Sequence, residues 1–146
     1  MENNMLEVNR SKQSGFTLLE MLVVLGIIGI LAGLVGPKVM EKFEQSQIKA
    51  AKVQIEELAQ TLDTYKLDVG SYPTTDQGLE ALITAPDGAQ RWNGPYLSKS
   101  KVPLDPWNQE YKYASPGEHG KFDISSMGPD GKEGGEGSEQ DIVSWE

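Results

Sequence analysis

The sequence predicts an α+β fold, with one long N-terminal helix and a small cap built on an antiparallel β-sheet. Two observations predict the helix: an apolar run at 16–36, and an amphipathic stretch that continues with helical spacing to Gly70. The third observation is the character of 71–146, where short strand-like runs alternate with clusters of Gly, Pro, Asn and Asp. A chain of 146 residues is expected to form one domain.

The composition limits both the partners of the chain and the way its cap is stabilised. The net charge is −9 and the acidic residues are concentrated at 122–146, so the surface should repel nucleic acid. Only about 75 residues remain for the cap, and a core of that size is marginal without an additional cross-link. The chain has no cysteine, which excludes a disulfide and leaves a bound metal as the next candidate.

The apolar run contains a single charged residue, Glu20. A helix of this length rises about 30 Å, enough to cross the hydrocarbon core of a bilayer. A carboxylate inside a bilayer costs on the order of 2.5–3.5 kcal/mol, so it needs a partner or a task. Gly15, preceded by Arg10 and Lys12, lies just before the run, and a cut after it would create an α-amine on Phe16. The alternative is a plain signal anchor with an incidental Glu.

The segment Gly15-Phe16-Thr17-Leu18-Leu19-Glu20 resembles the prepilin peptidase site of type IV pilins and type II secretion pseudopilins. The resemblance implies cleavage between Gly15 and Phe16 on the cytoplasmic face of the membrane, followed by N-methylation of Phe16. It also implies that Glu20 meets the Phe16 amine of an adjacent subunit when a filament assembles.

Several features of the helix concern its packing and its end. Gly29-x-x-x-Gly33 allows helices to approach closely, and Pro37 should kink or loosen the helix. The resemblance to pilins implies a melted segment near 33–37 in assembled filaments.

Gly70 is suited to a left-handed helix cap, and Tyr72-Pro73 prevents any continuation of the helix. Apolar residues at three-four spacing predict one buried stripe: Ile48, Ala51, Ile55, Leu58, Leu62, Tyr65 and Val69.

The cap is expected to contain a short helix and three strands. Thr74 and Gln77 form a capping-box pattern, which predicts a helix over 74–83. Asp105-Pro106-Trp107-Asn108 should form a turn. The expected strands are 110–114, 122–125 and 142–145.

The aromatic residues and the sole histidine bear on possible binding or catalysis. Trp92, Tyr96 and Trp107 are either a carbohydrate platform or anchors for irregular loops; we favour anchors, because aromatic side chains supply much of the buried area in small cores. His119 is expected to be an exposed turn residue without a nucleophile partner. The sequence has no cysteine, phosphate loop or recognisable nucleophile–base pair, so we expect no enzyme.

The acidic, glycine-rich segment 128–141 has too few apolar residues to fold by itself. It is either a disordered acidic loop or a calcium loop, in which glycines let carboxylates and carbonyls converge on the cation. It is not an EF-hand, because Lys132 and Gly134 stand where side-chain oxygens are needed. The spacing alone leaves both interpretations open.

Further segments extend the resemblance over nearly the whole chain and narrow it to the major pseudopilins of the type II secretion system. They are residues 65–68, 72–79, 105–107, 115–117 and 128–145. Type IV pilins usually end in a disulfide-closed loop, which this chain cannot make. Asn108 stands where the family commonly has Gly, and Asn also tolerates a left-handed backbone. The resemblance implies a calcium site formed by the side chains of Asp130 and Asp141 and the backbone oxygens of Met127, Lys132 and Ser138.

The resemblance also implies a pilin-like lollipop, with a cleaved leader at 1–15, a transmembrane or filament-core half at 16–37, an amphipathic half at 38–70 and a cap at 71–146. Such a chain would be a structural subunit of a periplasmic pseudopilus, polymerising through its N-terminal helix to drive export of folded proteins across the outer membrane. It would be a single-pass inner-membrane protein with its cap in the periplasm. The implied partners are further copies, minor pseudopilins, the inner-membrane assembly platform and prepilin peptidase. The alternatives are a type IV pilus-like pilin and a membrane-anchored binding module.

Overall fold

The computed structural model describes residues 15–146 and has an α+β fold, as predicted. The helix α1 (Leu18–Val69) is followed by strands β1 (Lys112–Ala114), β2 (Asp123–Ser126) and β3 (Ile142–Val143). Two 3-10 helices, Leu79–Leu82 and Gly137–Glu139, lie in the connections. The chain divides into two compact units at Val39–Met40, and the sheet belongs to the unit Met40–Glu146. The predicted leader, apart from Gly15, lies outside the described residues.

Helix α1 is 52 residues long and includes Pro37 without a break. It ends as predicted at Gly70, which has a φ of 99° and donates its N–H to the carbonyl oxygen of Lys66 at 2.8 Å. The segment 33–37 is helical in this single chain, and its melting in filaments stays a prediction. The predicted stripe is confirmed: Ala51, Ile55, Leu58, Leu62 and Tyr65 are buried, while Ile48 and Val69 pack partly buried at its ends.

The three strands form one antiparallel sheet with β2 in the centre. Ile124 and Ser126 on β2 and Ile142 on β3 are buried in the core together with the stripe of α1. Because side chains alternate along a strand, Asp123 and Ser125 lie on the opposite face of the sheet. The predicted strands are confirmed, although each is shorter than predicted or shifted by one residue.

The prediction of an α-helix over 74–83 is wrong beyond its first turn. The capping box is present, because Gln77 N–H donates to Thr74 Oγ1 at 3.3 Å and Thr74 N–H donates to Gln77 Oε1 at 2.9 Å. Gly78 then adopts a φ of 60°, which an α-helix does not allow, and only the 3-10 helix Leu79–Leu82 follows. Leu79 and Leu82 are nevertheless buried in the core.

Candidate assembly motif and candidate cation loop

The N-terminal motif is held by a reciprocal cap between Thr17 and Glu20. Glu20 Oε2 accepts the backbone N–H of Thr17 at 2.7 Å and its hydroxyl at 2.9 Å, and Glu20 N–H donates to Thr17 Oγ1 at 3.2 Å. This is a capping box at the start of α1, which sequence analysis missed although the T-x-x-E spacing signals it. In the unprocessed chain the nitrogen of Phe16 is an amide, so the pairing of Glu20 with a Phe16 amine stays a prediction.

The first half of α1 presents apolar side chains to its surroundings. Phe16 is 81% exposed, and the large apolar residues from Leu18 to Phe43 are exposed as well. Among the described residues, α1 is the one helix long and apolar enough to cross a membrane. At Gly29 and Gly33, no described atom beyond the local helix backbone lies within 4 Å of the position that a Cβ would take. The helix surface at these glycines is therefore open to a second helix.

The acidic segment 128–141 connects β2 to β3 and turns repeatedly. A positive φ occurs at Gly128, Gly131, Gly134, Gly135 and Gly137. At Gly135, a Cβ would collide with the carbonyl oxygen of Glu139, so this close approach of two backbone stretches requires glycine. The segment therefore folds back on itself, which is a geometry that brings loop oxygens together.

The two aspartates predicted as calcium ligands accept hydrogen bonds from within the loop. Asp130 Oδ1 accepts the N–H of Lys132 at 3.2 Å, and Asp141 Oδ2 accepts the N–H of Gly134 at 3.0 Å. Asp141 Oδ1 is buried and has no hydrogen-bond partner in the described part of the chain. Such an oxygen is costly to bury, and a cation bound to it would offset that cost. This is the observation that best fits the residues to a metal ion.

The backbone oxygens predicted as calcium ligands lie in the same connection between β2 and β3. Met127 directly follows β2, Lys132 lies in an exposed turn after Asp130, and Ser138 lies in the 3-10 helix Gly137–Glu139. Over residues 15–146, no group of three or more His, Asp or Glu side chains is arranged to hold a metal. A cation here would depend on the two carboxylates and on backbone carbonyls, an all-oxygen set that suits Ca²⁺.

A buried carboxylate that the sequence did not reveal lies beside this loop. Asp105 was predicted only as part of a turn, and it is 3% exposed. Its Oδ1 accepts the N–H groups of Trp107 at 2.9 Å and Gln109 at 2.8 Å, and its Oδ2 accepts the hydroxyl of Ser126 at 2.6 Å. Asn108 has a φ of 64°, the left-handed backbone predicted for this turn. No local sequence signal connects Asp105 with Ser126, because the contact spans 21 residues.

His119 has partners that the sequence did not reveal. Its Nδ1 lies 2.9 Å from Asp123 Oδ2, and its ring stacks on Trp145 with the ring centroids 4.0 Å apart. Burial raises the pKa of Asp123, but hydrogen bonds from the His119 ring and from the N–H groups of His119 and Glu118 outweigh it and hold this pKa below its ordinary value. His119, Asp123 and Trp145 line a groove of about 550 Å³. Ser125 also lines this groove, yet no hydrogen bond joins Ser125 to His119 in the described structure. The stacking of His119 on Trp145 holds Trp145 against the loop between β1 and β2.

The three aromatic residues considered for carbohydrate binding make internal contacts instead. Trp92 Nε1–H donates to the carbonyl oxygen of Ala81 at 2.8 Å, and the hydroxyl of Tyr96 donates to Asp68 at 2.9 Å. Trp107 packs partly buried against the core. These contacts are those expected of loop anchors.

Comparison with known proteins accounts for both parts of the chain. A family model described as "Prokaryotic N-terminal methylation motif" matches residues 10–36. A second, described as "Type II secretion system (T2SS), protein G", matches residues 38–145. The chain belongs to the type II secretion system protein G family.

Two members of the protein G family are identical to this chain at nearly half of the aligned positions. Type II secretion system core protein G of Pseudomonas aeruginosa is 48% identical over 142 residues, which are 95% of this chain and 99% of the relative. The core protein G of Vibrio cholerae is 47% identical over 92% of each chain. The crystal structure of the major pseudopilin from the type 2 secretion system of enterohaemorrhagic Escherichia coli matches with a TM-score of 0.61 at 33% identity. The match covers 75% of this chain and 95% of the pseudopilin chain in that crystal structure.

Membership in the protein G family confirms the resemblance read from the residues, and the long apolar helix with a three-stranded antiparallel sheet is the pseudopilin fold. The methylation-motif match and the exposed apolar helix fit a membrane-anchored pseudopilin. A structural role in type II secretion, rather than catalysis, is what this membership favours.

Proposed function

We propose that this chain is the structural subunit of a periplasmic pseudopilus, polymerising through α1 to drive export of folded proteins across the outer membrane. One observation carries the proposal, namely the exposed apolar surface of α1 over its first half. An exposed apolar surface of this extent needs a lipid or protein environment to cover it. The bilayer would cover it before assembly, and the matching helices of neighbouring subunits would cover it afterwards.

Processing by prepilin peptidase would prepare the helix for assembly. The proposed scissile bond joins Gly15 to Phe16, and both residues are exposed and lie before the first residue of α1. A non-helical, exposed bond is accessible to a protease. Cleavage would leave the whole of α1 on the product, with an N-methylated amine on Phe16.

Glu20 would then select the position of each new subunit. In the unprocessed chain its carboxylate is satisfied by Thr17. After cleavage, the Phe16 amine of a neighbouring subunit would offer it a positive charge. An apolar environment makes such an ion pair strong and makes a lone carboxylate costly, so the pair would fix the register between adjacent helices.

A calcium ion would stabilise the segment 128–141. Asp130 and Asp141 would supply the charged ligands, with backbone oxygens of Met127, Lys132 and Ser138 completing the set. The support is the buried, unpartnered Asp141 Oδ1 and the glycine-dependent folding of the loop. The bound cation would neutralise part of the repulsion among the acidic side chains of the loop and supply the cross-link that a cysteine-free cap lacks.

The cellular setting follows from the same features. The chain would cross the inner membrane once, with its cap in the periplasm. Its partners would be copies of itself, minor pseudopilins, the inner-membrane assembly platform and prepilin peptidase. The acidic surface, with a net charge of −9 for the chain, is not suited to nucleic acid.

The proposal is tested in a secreting host that lacks its own major pseudopilin. Wild-type chain should restore export and have the mass of a product that begins at N-methylated Phe16. Gly15→Val should retain its leader and fail to restore export, because a branched side chain obstructs the scissile bond. Gly120→Val is the control, since apart from the two chain neighbours the nearest described atom to its added Cβ is the Phe122 carbonyl oxygen at 3.9 Å, and it should behave as wild type. Export by a Gly15→Val chain that keeps its leader would refute the proposal.

A further inference from the structure

The turn that contains Asp105 holds the backbone of Gln109 on both sides. Asp105 Oδ1 accepts the N–H of Gln109 at 2.8 Å, and the carbonyl oxygen of Gln109 accepts the N–H of Asp105 at 2.9 Å. A carboxylate buried to 3% exposure forms such contacts only if the surrounding backbone is fixed. The side chain of Gln109 therefore extends from a rigid base.

Ser126 connects this carboxylate to the first residue of the acidic loop. The hydroxyl of Ser126 is fully buried and donates its one proton to Asp105 Oδ2 at 2.6 Å. Its oxygen is then left as an acceptor, and it accepts the N–H of Gly128 at 3.3 Å. The N–H and C=O of one trans peptide point in opposite directions, so holding Gly128 N–H also fixes the direction of the Met127 carbonyl.

Gln109 holds the other polar group of the same glycine. Its Nε2 donates to the carbonyl oxygen of Gly128 at 2.8 Å. The amide also lies against Gly131, where an added Cβ would come within 3.0 Å of Gln109 Oε1. Ser126 thus holds the N–H of Gly128 and Gln109 holds its carbonyl, one residue after Met127 and two before Asp130.

We propose that Gln109 and Ser126 are positioning residues for segment 128–141. They orient the Met127 carbonyl and Asp130, and so they set the calcium affinity of the segment without binding the ion. This inference rests on the calcium site proposed above. It assigns the pre-organisation of that site to side chains that lie outside segment 128–141. Outer partners of this kind typically change metal affinity by about 10- to 100-fold when they are removed.

Gln109→Glu separates positioning from simple charge. The variant adds a negative charge beside an acidic loop, so electrostatic attraction alone would tighten calcium binding. A carboxylate cannot donate to the Gly128 carbonyl, so loss of positioning should weaken binding instead. Gln109→Ala removes the donor without adding charge, and it should also weaken binding. Ser126→Ala is a less direct variant, because it leaves a buried oxygen of Asp105 unpaired and threatens the fold.

The matched controls are Gln77→Glu and Gln77→Ala. Like Gln109, Gln77 has a side-chain hydrogen bond to the backbone, because its Oε1 accepts the N–H of Thr74 at 2.9 Å in the capping box. Gln77→Glu adds the same charge at a position outside segment 128–141. Gln77→Ala removes a comparable hydrogen bond.

The experiment is calorimetric titration of calcium chloride into the full-length chain in detergent, with hydrogen exchange of 128–141 measured in chelator. We expect both Gln109 variants to bind calcium about tenfold more weakly than wild type and to exchange faster across the loop, while both Gln77 variants match wild type. Wild-type affinity, or tighter binding, in the Gln109 variants would overturn the inference and leave the calcium site standing. No saturable binding by wild type would overturn the calcium site and this inference together.

Discussion

The proposed calcium site predicts that replacing Asp141 has opposite effects on stability in chelator and in calcium. Asp141→Asn keeps an oxygen that can accept the N–H of Gly134 and removes the negative charge. In chelator, the wild-type chain buries Asp141 Oδ1 without a partner in the described structure. An unsatisfied buried acceptor costs about 1–3 kcal/mol, and a neutral amide costs less to bury than a carboxylate. Without calcium, the variant should therefore be as stable as wild type or slightly more stable.

With calcium in excess, the order should reverse. A ligand present at about 100 times its Kd stabilises the folded state by about 2.7 kcal/mol. The variant loses one of the two charged ligands and with it most of this gain. For a unit the size of Met40–Glu146, that difference corresponds to a Tm lower by roughly 10 °C.

Thermal unfolding of the full-length chain in detergent, followed by circular dichroism, measures both conditions. Glu136→Gln is the control, because it removes one charge from an exposed position of the same loop that is not a proposed ligand. It should change the free energy of unfolding by no more than about 0.5 kcal/mol with or without calcium. An Asp141→Asn chain that melts below wild type by the same interval in calcium and in chelator would contradict the reasoning.

Three further predictions concern the core, the loop and one surface carboxylate. Leu58→Ala removes a side chain that is 1% exposed and should cost about 2–5 kcal/mol in urea unfolding; a cost below 1 kcal/mol would contradict the assigned core. Gly135→Ala should lower the Tm more than Gly134→Ala, because their φ values of 97° and 98° match but only the Gly135 Cβ collides with a carbonyl; equal losses would refute this. Tyr72→Phe should raise the pKa of Asp63 toward its ordinary value in an NMR titration, because the Tyr72 hydroxyl, at 2.6 Å, is the main group that holds this pKa down. A lowered pKa stabilises the fold above the unfolded-state pKa and ceases to do so as the pH falls through the folded-state pKa. The variant should therefore lose less stability on acidification, and an unchanged Asp63 pKa would contradict the contact.

The elements that were predicted well depend on local patterns. The buried stripe of α1 follows from three-four spacing alone, which is why Ala51, Leu58 and Tyr65 are buried as expected. Gly70 and Asn108 adopt the left-handed backbone for which their residue types are suited. In each case, the signal and its consequence lie within a few residues of one another.

The short helix predicted over 74–83 shows where local patterns conflict. The Thr74–Gln77 capping box is present, but a glycine follows it directly, and Gly78 takes a backbone angle that no α-helix allows. A capping signal therefore predicts the first turn of a helix and not its length. The Thr17–Glu20 box was missed for a different reason, because Glu20 was interpreted through its cost in a membrane and its pairing with the Phe16 amine.

The contacts that support segment 128–141 were not predictable from one sequence. Asp105 meets Ser126 across 21 residues and Gln109 meets Gly128 across 19, and Ser126 carries no signal that separates it from other serines. The same holds for the stacking of His119 on Trp145. Composition and spacing identified the loop, whereas the residues that hold it in place emerged only from the fold.

The most direct test of the account concerns Glu20 and the assembly of α1. Full-length chain carrying Glu20→Ala should be cleaved at the same bond as wild type, yet form no filaments under electron microscopy. Glu56→Ala, at an exposed position of the same helix, is the control and should form normal filaments. Abundant, regular filaments from the Glu20→Ala chain would contradict the claim that this carboxylate sets the contact between subunits.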